Sequence, residues 1–272
     1  MNRIIERSRA SLLPGMVAML LFSCAPMERE DVLIIGHGGL GMGASVPMNS
    51  EAALVGGLAL GADGVELDVQ LTADSVLVAY HAQDLSELTP CKGLINAKLW
   101  SELTSCTLRG EDGLPVPIIR LDSALAHLSR DHPTASYTLD IKLFAAGDWW
   151  SYLDVFSQRL RALHAQQGLH GRLVVECQVV EFLDLVGRVD ANLPLFLYAT
   201  DAEEGIRTVK EKGYTGITMD HGRMDAASVS EAKEAGVTVA LFGVGGWWSH
   251  RRAMAKRPDR LQTDSPGAFR GR

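Results

Sequence analysis

Residues 64–80 read GVELDVQLTADSVLVAY. Two apolar runs, 64–71 and 76–80, flank a link from Thr72 to Ser75 that is far too short for a parallel crossover. The stretch therefore predicts a hairpin centred between Ala73 and Asp74, with Glu66 and His81 equidistant from the turn and facing each other. Glu66 and Asp68, two apart on one strand, point to the same side. Two carboxylates aimed at one point from an apolar strand are costly unless a cation or a donor compensates them. On a polar, solvent-facing strand they would need neither; carried inward at the mouth of a barrel they read as a metal site.

Outward from this hairpin, short aliphatic and β-branched runs recur at 32–36, 136–142, 172–176, 194–199, 215–219 and 237–242. Helical patterns such as 50–60, 149–163, 201–212 and 226–235 lie between most of them. Strands alternating with helices make an α/β protein, and eight such strands predict a TIM-type (β/α)8 barrel in one domain. The run Leu261-Gln262-Thr263 is either a ninth strand or the segment that closes the barrel. In that architecture chemistry sits at the C-terminal strand ends. Those ends offer His37, Glu66 with Asp68, His81, Asp140 with Lys142, and Glu176 with Gln178.

Across 272 residues, 47% are hydrophobic and 22% charged, enough to build a core and to exclude a disordered or fibrous chain. With 33 acidic against 26 basic residues the net charge is -7, which argues against a nucleic-acid partner. At the start, Arg3, Arg7 and Arg9 precede an apolar stretch from Leu12 to Phe22, too short to span a bilayer but suited to a secretory signal. It ends in Leu21-Phe22-Ser23-Cys24, which resembles the lipobox of bacterial lipoproteins. The expected organisation is a signal segment at 1–23, a tether at 24–31 beginning with lipidated Cys24, and the barrel at 32–272. That places the protein in the cell envelope, exported, facing the periplasm and held to the membrane by its lipid.

A competing motif is Gly36-His37-Gly38-Gly39-Leu40-Gly41, which follows a strand and fits the glycine fingerprint of dinucleotide-binding folds. That fingerprint must open directly into a helix whose amides face pyrophosphate, and here Gly43 and Pro47 interrupt the next turn. The reading is rejected.

Taken in order, His37-Gly38-Gly39, Met48-Asn49-Ser50, the run from Gly61 to Val69, His81, Asp140-Ile141-Lys142 and Thr263-Asp264-Ser265-Pro266 resemble the glycerophosphodiester phosphodiesterase family. The resemblance spans nearly all of the chain after Cys24 and is densest from Gly61 to His81. It implies a TIM barrel that hydrolyses small-molecule glycerophosphodiesters to an alcohol and glycerol 3-phosphate. It also implies one divalent cation, Mg or Ca, on Glu66, Asp68 and Asp140, with His37 and His81 catalytic. Asn49 matches a position that orients a histidine or the metal, although it could equally cap a helix. Three positions depart from the family pattern: Gly38 stands where Arg is usual, Met48 where Glu is usual, and Asp140 where Glu is usual.

Lys142 is the expected substitute for the missing guanidinium, with Arg223 more distant, while Phe242 and Trp247, read as following the last barrel strand, would wall the leaving alcohol. In an oxidising compartment Cys91 and Cys106 are expected to pair, leaving Cys177 free. His127, His132, His164 and His170 read as surface. Two other readings remain at this stage, a sphingomyelinase D-like lipid phosphodiesterase and a barrel that binds a phosphorylated head group or sugar without turnover.

Overall fold

The computed structural model describes residues 31–110 and 113–269, so Cys24 and the expected signal segment lie outside the described residues. The first half runs β1 (Leu33–Gly36), α1 (Glu51–Ala59), β2 (Gly64–Leu71), β3 (Leu77–Ala79), α2 (Trp100–Leu103), β4 (Thr107–Arg109), β5 (Pro115–Pro117), β6 (Ile119–Arg120) and α3 (Leu121–Asp131). From β7 (Ser136–Ile141) strands and helices alternate strictly: α4 (Trp149–Gln167), β8 (Leu173–Cys177), α5 (Val180–Val189), β9 (Leu195–Tyr198), α6 (Ala202–Lys212), β10 (Gly216–Asp220), α7 (Ala226–Glu234), β11 (Thr238–Val244), α8 (Trp247–Met254) and β12 (Arg260–Thr263). Strands β1, β2, β7, β8, β9, β10, β11 and β12 form one parallel circuit, closed where β12 pairs with β1. This is the expected TIM-type barrel, with two strands exchanged. The run 76–80 is not a stave: β3 folds back antiparallel on β2 and continues the sheet to β6 outside the barrel. The closing segment around Leu261 takes the eighth place.

The hairpin is also one residue out of the expected register. Val69 pairs with Ala79 and Leu71 with Leu77, because the loop holds three residues, Ala73, Asp74 and Ser75, with Ser75 at φ +64°. Thr72 Oγ1 donates to Asp74 and accepts from the Val76 amide, which fixes this three-residue turn. His81 consequently falls beside Asp68 rather than opposite Glu66.

Alternation along the staves sorts their side chains. Val65, Leu67 and Val69 face the helices and join the main core with Leu139, Val175, Ile217, Val239 and Leu261. The intervening residues fill the barrel in layers. Val174, Phe196 and Ala240 make an apolar plug; Arg260 donates to Ser136 and Thr138. Above them, Glu176 accepts from Thr218 and Gln262. Helices α4 and α6 start where a side chain satisfies their first amides: Asp148 accepts from Ser151 N and Asp201 from Glu204 N. They stop where Gly168 and Gly213 take positive φ.

Between β2 and β7 the chain builds a small second core from Val78, Tyr80, Leu85, Ile95, Leu103 and Leu108, clipped by the expected Cys91–Cys106 disulfide. Cys177 is free and buried. His164 is not a surface residue: it is buried in α4, and its Nδ1 lies 2.6 Å from Asp190 Oδ2, tying α4 to the end of α5.

Candidate active site

At the C-terminal ends of β2 and β7 three carboxylates converge. Glu66, Asp68 and Asp140 each place an oxygen within 4.8 Å of the others, and Asp68 and Asp140 are directly paired across the two strands. Glu66 and Asp68 are almost fully buried at 1% exposure, so their charge must be met by protein or by an ion. Glu66 Oε2 accepts from the Gly38 amide at 2.8 Å, whereas its Oε1 is buried without a partner. Asp68 Oδ2 accepts from Asn49 Nδ2 at 2.7 Å, and Asn49 Oδ1 accepts from the Asp68 amide at 2.9 Å. Asn49 thus has both ends of its amide on Asp68. It caps nothing, the cap of α1 being Ser50.

The other Asp68 oxygen, Oδ1, lies 3.0 Å from both His81 Nδ1 and Lys142 Nζ. Lys142 Nζ also donates to Asp140 Oδ2 at 2.6 Å, so its ammonium bridges two of the three carboxylates. His37 Nδ1 lies 2.7 Å from Asp264 Oδ1 and its Nε2 3.9 Å from Glu66 Oε2. The β1–α1 loop that presents His37 is held against Asp264. A Cβ on Gly41 would come within 2.2 Å of the Asp264 Cα, and Gly41 sits at φ +86°. The glycines of the rejected fingerprint therefore serve close loop packing, and α1 begins only at Glu51.

Burial and charge pull these groups apart in proton affinity. Burial lifts Glu66 well above the ordinary carboxylate range, with Asp68 adding to it, and burial likewise lifts Asp140. Asp68 is equally buried, yet His81, Lys142 and Asn49 outweigh that and hold it below the usual range. For His37, burial alone would lower the imidazole; the Asp264 hydrogen bond and the charges of Glu66, Asp264 and Asp68 carry it up to about 9. Hydrogen bonding to Asp68 raises His81. Lys142 is desolvated, but Asp140 and Asp68 keep it firmly protonated.

His37, Glu66, His81, Asp140 and Lys142 line a cavity of about 410 Å³ whose far wall is Phe242 with Tyr198 stacked on it, ring centroids 5.2 Å apart. Phe242 lies within β11, the seventh stave, rather than after the last one. Trp247 opens α8 and packs edge-on against Trp248, outside the cavity lining, and Arg223 lies outside it too, 3.5 Å from the Thr200 carbonyl. Glu176, Gln178 and Gln262 line the cavity together with Asp264, which directly follows the closing stave.

The family model for the glycerophosphoryl diester phosphodiesterase family matches residues 40–268. The chain belongs to this family. A glycerophosphodiester phosphodiesterase of Caldanaerobacter subterraneus is 43% identical over 63 residues, 23% of this chain and 25% of that protein. The first curated relatives are matched over only about a quarter to a third of their own length. Among solved structures, the glycerophosphodiester phosphodiesterase of Agrobacterium tumefaciens has a TM-score of 0.74 at 22% identity, covering 88% of this chain and 98% of that one. An Oleispira antarctica phosphodiesterase, solved with its product sn-glycerol-3-phosphate, has a TM-score of 0.76 at 19% identity, covering 87% and 94%. At these identities the two structures establish a shared fold. Within the glycerophosphodiester phosphodiesterase barrel of this chain, the three oxygen donors with an orphaned, buried Glu66 Oε1 fit a hard divalent cation.

Proposed function

We propose that the protein hydrolyses glycerophosphodiesters to an alcohol and glycerol 3-phosphate in a cation-dependent reaction, with His37 and His81 as proton carriers. The observation that supports it most is the position of two histidines against a buried three-carboxylate cluster at one cavity. Glu66, Asp68 and Asp140 would hold the divalent cation, which when bound would supply positive charge to the diester oxygens. One imidazole takes the proton of a glycerol hydroxyl as it attacks, and the other protonates the departing oxygen; the resulting cyclic phosphate is then opened by water. Lys142 contributes a point charge beside the same cavity in place of the guanidinium that Gly38 lacks. Asp264 and Asp68 hold the two rings by their Nδ1 atoms, which leaves each Nε2 as the working nitrogen.

The test is alcohol release from choline-, ethanolamine-, inositol- and glycerol-headed diesters, with and without chelator. Chelator-sensitive release of glycerol 3-phosphate is expected. If no diester turns over with either Mg or Ca, the protein is a barrel that binds phosphorylated head groups instead. The basic segment, apolar run and Ser23-Cys24 support export and a lipid anchor at Cys24 as part of the same reading.

A further inference from the structure

A second cleft, of about 390 Å³, opens beside the catalytic cavity and shares His81 and Met42 with it. The two differ in chemistry. The catalytic cavity offers carboxylates, Lys142, Gln178 and Gln262, groups that suit phosphate and glycerol hydroxyls. The second is walled by carbon, with Ala44, Val46 and Met48 on the β1–α1 loop and Leu88 and Leu108 on the insertion between β2 and β7. We propose that this cleft is a subsite for a hydrocarbon chain on the leaving alcohol, which makes glycerophosphodiesters of a monoacylglycerol a substrate class of this protein. The proposal rests on the hydrolytic reading above and specifies its leaving group.

Three observations carry it. The cleft meets the catalytic cavity at His81 and Met42, so an alcohol seated there places its ester oxygen toward that cavity while the glycerol half occupies the polar side. Its charged side chain besides His81 is Arg109, whose guanidinium repels the cationic choline and ethanolamine heads and leaves a neutral chain as the matching occupant. Its outer wall is fixed before any ligand arrives. Leu88 stands three residues before Cys91 and Leu108 two after Cys106, so the disulfide ties the two wall segments together. A rigid apolar cleft spends little ordering entropy on binding.

The bond changes balance without a further reactant. The hydroxyl next to the phosphorylated glycerol carbon attacks phosphorus, and its proton leaves to one imidazole. The phosphorus–oxygen bond to the monoacylglycerol breaks, its oxygen is protonated by the other imidazole, and water opens the five-membered cyclic phosphate to glycerol phosphate.

The experiment compares kcat/KM, with Mg and with Ca, for glycerophosphoglycerol and its monoacyl esters from butanoyl to decanoyl. All are used below micelle formation, with glycerophosphocholine alongside. Each added methylene is expected to raise kcat/KM about fourfold until the cleft is full. Leu88→Asp, at a half-exposed position, and Val46→Trp, which fills the cleft, should each flatten that rise. Equal kcat/KM across the series, or a preference for glycerophosphocholine over the decanoyl ester, overturns the subsite while diester hydrolysis stands. No turnover of any diester with either metal overturns both.

Discussion

The side chain of Met48 rests on the α-carbon of Gly38. A Cβ added at Gly38 would lie 2.5 Å from Met48 Cε and 2.7 Å from its Cβ, and Gly38 holds φ at +51°. Met48 therefore occupies the space that any side chain at position 38 would need, so positions 38 and 48 are sterically coupled. Gly38→Arg is expected to cost about 1–3 kcal/mol of stability through overpacking and to lower kcat/KM rather than raise it. Pairing it with Met48→Glu should recover part of both losses. Denaturant melts of the two single variants and the double variant measure the coupling, which additive effects would exclude.

Lys142 neutralises Asp68 and Asp140 at 3.0 and 2.6 Å, so it competes with any cation for the same oxygens. Lys142→Met is expected to tighten Mg or Ca binding by about tenfold while lowering kcat, because two facing carboxylates lose their counter-charge. Glu66→Gln removes a ligand and should weaken cation binding and turnover together. Calorimetric titration of the metal into each variant separates these outcomes. Unchanged affinity in both would detach the carboxylate cluster from metal binding.

How much of this was legible in the sequence follows from which contacts are local. Glu66 and Asp68 lie two apart on one strand, so their shared direction is set by strand geometry, and Lys142, the first residue past the adjoining stave, keeps the same spacing from Asp140. The partner of His37 was not legible, since Asp264 is 227 residues away and meets it only because β12 closes onto β1. The register of His81 turned on one turn residue, Ser75, whose positive φ carries no marker such as glycine. Phe242 and Trp247 read alike as residues after the last strand, but Phe242 lines the cavity from within β11, whereas the path after Gly245-Gly246, which no periodicity sets, carries Trp247 outside the lining.

Asp264 raises His37, and the sign of the resulting pH dependence can be worked out. The folded-state value of about 9 lies above the ordinary 6.5, so protonated His37 favours the fold. That contribution is complete below about pH 6.5 and is lost as pH rises through 9. Asp264→Asn removes the charge and keeps a hydrogen-bonding group, so His37 should titrate lower and the alkaline loss of stability in metal-free protein should shrink. Imidazole NMR titration with parallel melts tests this; an unmoved His37 would show that Glu66 and Asp68 alone set its proton affinity.

The disulfide closes a loop with a sequence separation of 15, and a loop of that size contributes about 3 kcal/mol in the chain-entropy account. The insertion core it clips is separate from the main core, so the loss in Cys106→Ala should be local. Amide exchange is expected to quicken at Leu85, Ile95 and Leu108 and stay slow in β7 to β12. Uniform acceleration along the whole chain would instead make the clip part of the barrel's global stability.

The proposed catalytic residues stand at the C-terminal end of the barrel, whereas the chain enters β1 at Leu33, at the opposite end. A lipid on Cys24 would thus pull on the face away from the cavity, and losing it should leave the site untouched. Cys24→Ala is expected to release the protein from the membrane fraction while kcat/KM on a soluble glycerophosphodiester stays the same. Equal membrane recovery of the variant would reject lipidation. A fall in kcat/KM on the soluble substrate would show that the segment before β1 acts on the site itself rather than only on where the barrel is held.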